Sequence, residues 1–145
     1  MQVTPNRDIE TVIIVAGGKG ERMQTDIPKQ FIELKSRPIL MHTIDVFIQY
    51  NNQIDVIVVL PETQIENWSL LCKKHAFETK HRVVAGGSVR FESVRNGLKI
   101  ASDSGFIAVH DGVRPLVSQT TIEACFREAR ISGAAIPVVL PVESI

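Results

Sequence analysis

The segment VAGGKGERMQTDIPKQF, from Val15 to Phe31, carries the residue types best suited to chemistry on a phosphate. Gly17, Gly18 and Gly20 let backbone N–H groups approach a ligand closely and form an anion-binding concavity. Lys19, Arg22 and Lys29 bring cations to the same stretch, and only Glu21 and Asp26 oppose them. A multiply charged anion such as a triphosphate suits that balance; a surface turn with solvated charges is the alternative. Neither familiar glycine motif is present. A P-loop counted from Gly17 needs its second glycine at Arg22, and G-x-G-x-x-G counted from Gly18 needs its third at Met23. Pro28 also restricts Ile27 away from the helical region, so no helix opens directly after the glycines.

Two later stretches repeat the device. AGGSVRFESV (85–94) places Gly86 and Gly87 before Ser88, Arg90 and Ser93, with Ser88 in position to cap a helix. A plain Gly-Gly turn is the alternative there. VHDGVRP (109–115) ends an apolar run in Asp111, with Arg114 three residues on. A carboxylate in that place suits Mg²⁺, which takes one or two carboxylates and completes its shell with phosphates and water. The same Asp-Gly pair also starts an ordinary turn. His42, His75, His81 and His110 show no metal-ligand spacing, and His110 is expected to pack or bond locally. No Ser-His-Asp set or G-x-S-x-G elbow supports acyl transfer. Trp68 is expected to pack in the core or on a helix face.

The elements that must position these loops follow from periodicity. TVIIVA (11–16), DVIVVL (55–60), HRVVA (81–85), GFIAVH (105–110) and AAIPVVL (134–140) are short, β-branched and nearly continuous, as strands covered on both faces are. Between them, apolar residues step at helical spacing: Leu40, Ile44, Phe47, Ile48; Ile65, Trp68, Cys72, Ala76; Phe91, Val94, Leu98, Ala101; Ile122, Cys125, Phe126, Ala129. Thr63-x-x-Glu66 and Thr120-x-x-Glu123 read as capping boxes. The alternation predicts an α/β fold, a doubly wound and mostly parallel sheet with helices on both faces. Ligands of such sheets bind beyond the carboxyl ends of the strands, where the three loops lie.

The chain has 145 residues, 44% hydrophobic and 22% charged, with zero formal net charge. That is one domain by size, 1–145, with neither the basic excess nor the basic run that nucleic acid or an anionic membrane surface attracts. No apolar stretch reaches the roughly 18–20 residues of a membrane span, and MQVTPNRDIE is no signal peptide. Cys72 and Cys125 are the only cysteines, which points to a reducing, cytoplasmic setting.

Taken together, AGGKGERM…PKQF, GGSVRFESV and VHDGVRP resemble the 2-C-methyl-D-erythritol 4-phosphate cytidylyltransferases of the non-mevalonate isoprenoid pathway, from Ile13 to the end of the chain. The resemblance implies a nucleotide-diphospho-sugar-transferase-like, Rossmann-like three-layer sandwich. It implies that CTP and a polyol phosphate, methylerythritol phosphate, react to give a CDP-polyol and pyrophosphate, with Mg²⁺ as cofactor. Arg22 and Lys29 match the family's two cations at the α-phosphate. Ala16, Gly17 and Gly18 match the backbone that lies along the nucleotide, with Gly20 in the same loop. Gly86, Ser88 and Ser93 fall where the family contacts cytosine and ribose, with Arg90 beside them. Asp111 matches the Mg²⁺-associated aspartate and Arg114 the nearby arginine. Two departures matter. HDGVRP stands where HDAARP is commoner, and D-x-V-R-P also occurs in the ribitol-5-phosphate cytidylyltransferases, an alternative acceptor class. The family pattern also continues past Ile145; roughly its first two-thirds are present, so its acceptor-binding arginine and lysine and its homodimer arm have no counterpart here. A CTP-binding piece without turnover is therefore a further alternative. An NAD-dependent dehydrogenase would need the missing third glycine and an acidic ribose ligand, for which Glu33 and Asp45 are poor candidates.

Overall fold

A computed structural model describes residues 9–17, 27–101 and 105–140. Four strands form one parallel sheet: β1 (Glu10–Val15), β4 (Asp55–Leu60), β5 (Arg82–Ala85) and β6 (Phe106–Asp111), in the order β5-β4-β1-β6. β1 lies in the interior with Ile13 opposite Ile57 on one side and Val109 on the other. β1 is buried along its whole length, and β4 beyond its first residue, as their unbroken β-branched runs predict.

Helices cover both faces. Val12, Ile14, Val56 and Val58 face a core shared with α1 (Ile39–Tyr50), Trp68 of α2 (Glu62–Lys74) and Ile122 and Phe126 of α4 (Gln119–Ser132). Ile13, Val15, Ile57 and Val59 point the other way, toward α3 (Arg90–Ile100). Such alternation across a strand is the period-2 rule at work.

Several expectations need correction. Residues 134–140 form no strand, although AAIPVVL reads as one. Ile136, Val138, Val139 and Leu140 are each at least 80% exposed, so no packing rewards an extended ladder. Pro137 also removes a donor from its middle. β6 is consequently an edge strand, with Ile107 and Val109 partly open to solvent. The expected caps also differ. Pro61 precedes α2 with no side-chain cap, and Ser118, not Thr120, caps α4, accepting from the Thr121 N–H at 3.1 Å. In α3 the inward face is Ser93 and Gly97 with Val94 beside them and Ala101 just past its end, while Phe91 and Leu98 are exposed.

A short antiparallel hairpin, β2 (Glu33–Leu34) with β3 (Arg37–Pro38), was not expected. Its turn holds Lys35 and Ser36 at φ 50° and 62°. Two-residue hairpin turns of this kind favour Asn-Gly, so Lys-Ser gives no such signal. The hairpin follows a single 3₁₀ turn at Lys29–Phe31. Phe31 anchors that turn in the core, stacked on Trp68 with ring centroids 5.9 Å apart.

Candidate active site

Three loops leave the carboxyl edge of the sheet, each tied to it by one more ladder bond. The Ala16 N–H donates to Val59 O at 2.9 Å, Gly86 N–H to Leu60 O at 2.8 Å, and Gly112 N–H to Val15 O at 2.9 Å. Thr43 of α1 braces the third loop by donating its hydroxyl to Gly112 O at 2.9 Å. These anchors surround an open cleft of about 400 Å³. Of the residues singled out from sequence, Ala16, Gly17, Lys29, Ser88, Arg90, Ser93 and Asp111 line it. Gly86 adjoins it, and Arg114 reaches it through Asp111. Gly18, Gly20 and Arg22 lie outside the described residues.

The Gly86–Gly87 turn is held by Ser93. Its buried hydroxyl accepts from the Gly87 N–H at 3.2 Å and lies 3.3 Å from Val89 O, to which it donates. A Cβ on Gly86 would stand 2.8 Å from the Ser93 oxygen, so that approach requires glycine. Ser88 does not cap α3; Val89 takes the cap position with no side-chain bond. Instead the Ser88 N–H and hydroxyl both donate to Glu92 Oε2, each at 2.8 Å. This is the returning half of a capping box, moved one residue outward. Sequence reading missed Glu92; an acidic residue in the first turn of α3 was the available signal.

Asp111 ends β6 and binds two guanidinium groups. Arg90 Nη1 lies 2.6 Å from Oδ1, and Arg114 Nε 3.0 Å from Oδ2. Both arginines are well exposed, which leaves the pairs individually weak. His110 is a local packing residue, as expected: its Nε2 donates to Arg114 O at 2.9 Å, and its ring meets Phe47 edge-on. Among the described residues Lys29 has no carboxylate partner and is half-buried in the cleft wall. The described site thus presents Lys29, Arg90 and Arg114 against Asp111, a surplus of positive charge beside bare backbone. That balance suits a polyanion.

Residues 10–145 match the family described as IspD, 2-C-methyl-D-erythritol 4-phosphate cytidylyltransferase. The chain belongs to this family. It is 45% identical over 135 residues to the 2-C-methyl-D-erythritol 4-phosphate cytidylyltransferase of Bacteroides fragilis, across 93% of this chain and 62% of that protein. It is 52% identical over 125 residues to the Porphyromonas gingivalis protein of the same name, across 86% of this chain and 55% of that protein. The crystal structure of 4-diphosphocytidyl-2C-methyl-D-erythritol synthase from Anaerococcus prevotii superposes with a TM-score of 0.69 at 26% identity, over 87% of this chain and 52% of that one. The chain therefore spans less than two-thirds of the length of the relatives it matches. The fold is the doubly wound sandwich expected from the alternation, and of the nucleotide-diphospho-sugar-transferase type that the resemblance implies. Membership of the cytidylyltransferase family leaves the dehydrogenase alternative without support. Among the described residues, no helix is long and apolar enough to cross a membrane.

Proposed function

We propose that this chain carries the CTP-binding half of a reaction in which CTP and 2-C-methyl-D-erythritol 4-phosphate give the CDP-polyol and pyrophosphate. One observation carries the reading: Lys29, Arg90, Asp111 and the Ala16–Gly17 backbone border a single cleft at the carboxyl ends of the strands. In the proposed step a phosphate oxygen of the acceptor attacks the α-phosphorus. The new P–O bond forms as the α–β bridge breaks, and the electron pair leaves with pyrophosphate. The attacking oxygen is already anionic at neutral pH, so no general base is required, in keeping with a cleft that no His or Cys lines among the described residues. Catalysis is then orientation plus charge stabilisation. Lys29 and, by family resemblance, Arg22 neutralise charge that grows on the α-phosphate. The Gly17 backbone lies along the nucleotide, and Ser93 fixes the turn proposed to meet its ribose and base.

Mg²⁺ fits as an ion held jointly with phosphate. Among the described residues no three His, Cys, Asp or Glu side chains converge into a protein cage. Asp111 supplies one hard carboxylate, the usual protein share for Mg²⁺ on a nucleotide. When bound, the ion would neutralise charge on the phosphates. Each Asp111 oxygen accepts from one guanidinium and keeps a lone pair that the ion could use, and a guanidinium displaced by the ion would be free to turn to the nucleotide. Two free cysteines support a cytoplasmic setting.

The test is pyrophosphate release from each of four nucleoside triphosphates with methylerythritol phosphate and with ribitol phosphate. It is run on this chain and on one continuing as its relatives do. Turnover with CTP and methylerythritol phosphate alone supports the reading. Turnover with ribitol phosphate instead reassigns the acceptor. CTP binding by the short chain with turnover only in the longer one separates nucleotide site from acceptor site. Lys29→Ala in the active chain is expected to lower the rate about 10²-fold, roughly 3 kcal/mol of transition-state stabilisation; wild-type turnover overturns its role.

A further inference from the structure

Gln30 lies between the two residues that give its turn a purpose. Lys29 faces the cleft and Phe31 is sunk in the core. Gln30 itself borders the cleft, yet it is only 1% exposed. Its carboxamide nitrogen is buried and, among the described residues, has no hydrogen-bond partner. Native proteins seldom leave such a donor unspent, because burial strips its water and returns nothing. The turn cannot easily relax to relieve it. Phe31 N–H donates to Pro28 O at 2.8 Å, Ile39 N–H donates to Ile32 O at 2.9 Å, and the Phe31 ring stacks on Trp68. A costly polar group held rigidly at a ligand cleft is the pattern expected of a preorganised binding residue.

We propose that Gln30 is a nucleotide-binding residue whose carboxamide donates to a phosphate oxygen of the bound triphosphate. The phosphate end is favoured over the base because Gln30 adjoins Lys29, a cleft cation with no carboxylate partner among the described residues, whereas Ser88 and Glu92 satisfy each other at the other loop. The inference rests on the cleft being a triphosphate site, and its test separates the two.

Gln30→Met keeps the volume and removes the donors. The proposal gives this variant opposite signs on two readouts. Without ligand its thermal midpoint equals or exceeds wild type, since an unsatisfied buried group is gone. By calorimetry its Kd for CTP with Mg²⁺ rises about tenfold, as does its Kd for inorganic tripolyphosphate. Gln30→Leu is run beside it. If either variant folds and binds CTP as wild type does, the inference fails while the triphosphate site stands. If both variants lose thermal stability together with affinity, or neither folds, Gln30 serves the fold and the inference again fails. If wild type binds neither CTP nor tripolyphosphate, the triphosphate reading falls, and this inference with it.

Discussion

Ser88 gives both of its donors, backbone N–H and hydroxyl, to one oxygen of Glu92. Hydrogen bonds to the charged form favour it, and the Glu92 carboxyl is accordingly held below its ordinary value, chiefly by the Ser88 hydroxyl. The sign follows directly. A lowered carboxyl stabilises the fold above the unfolded pKa, and that contribution is lost as pH falls through the lowered folded value. Ser88→Ala removes the hydroxyl but keeps the N–H. Its Glu92 is expected to titrate higher than in wild type, part of the way back to an ordinary glutamate, in a carboxyl-detected NMR titration. An unmoved midpoint would mean the hydroxyl bond does not form in solution. At this scale residue types were legible before residue partners. Glycine, lysine and aspartate near strand ends were singled out by type, and one cleft gathers Gly17, Lys29 and Asp111. That Asp111 is shared between Arg90 and Arg114 depends on side chains 21 and 3 residues away. No spacing rule reports the first of those. Gln30 was illegible for the same reason: an orphan donor is visible only once its surroundings are known.

Helix α3 shows how an element can be found by its period and still be turned wrongly. Of the apolar stripe Phe91, Val94, Leu98 and Ala101, Val94 and Ala101 pack in the core, whereas Phe91 and Leu98 are exposed and Ser93 and Gly97 are the helix's buried residues. The small residues win because they let the helix approach β1. A Cβ on Gly97 would lie 2.7 Å from Ile13 Cγ2, on an interior strand that is fully buried. Alanine in mid-helix gains about 1 kcal/mol of propensity over glycine. Overpacking a core costs typically 1–3 kcal/mol. Ile13 is pinned on both sides by β4 and β6, so the clash should exceed the gain. Gly97→Ala is therefore expected to lower stability by about 1 kcal/mol in denaturant unfolding. In an Ile13→Ala background, where the obstructing methyl is gone, the same change should turn neutral or stabilising, and additivity of the two would contradict the contact. The four strands of the parallel sheet were legible from nearly continuous β-branched runs, and the four helices from the helical spacing of their apolar residues. Residues 134–140 were misread because a β-branched run signals a strand only where something packs on it. The Lys35–Ser36 hairpin escaped because it uses positive φ without glycine.

The sheet has two rims, and the molecule uses them differently. At the carboxyl rim charges stay exposed around the cleft. At the opposite rim Glu10, 6% exposed at the start of β1, ties the fold together. It accepts from Tyr50 at 3.0 Å and Asn51 at 3.1 Å at the end of α1, and from Arg130 of α4 at 2.5 Å. Burial first, and then the hydrogen bond to Glu10, push the Tyr50 phenol up to about 12. A group whose folded pKa is raised stabilises the fold fully below its unfolded pKa, here 10.0, and loses that contribution as pH rises toward the folded value. Wild-type stability is therefore expected to decline from about pH 10 to 12. Tyr50→Phe has no phenol to titrate, so its stability should fall less steeply over that window, after a modest loss at neutral pH from the missing hydrogen bond, about 1 kcal/mol. Strand geometry, at about 3.3 Å per residue, puts the two rims of six-residue β1 roughly 17–20 Å apart. CTP affinity of Tyr50→Phe at neutral pH should thus match wild type. Urea unfolding from pH 8 to 12, paired with calorimetry at pH 7.5, tests both parts. An unchanged alkaline slope removes the Tyr50–Glu10 linkage, and weakened CTP binding would show that the rims are coupled rather than independent.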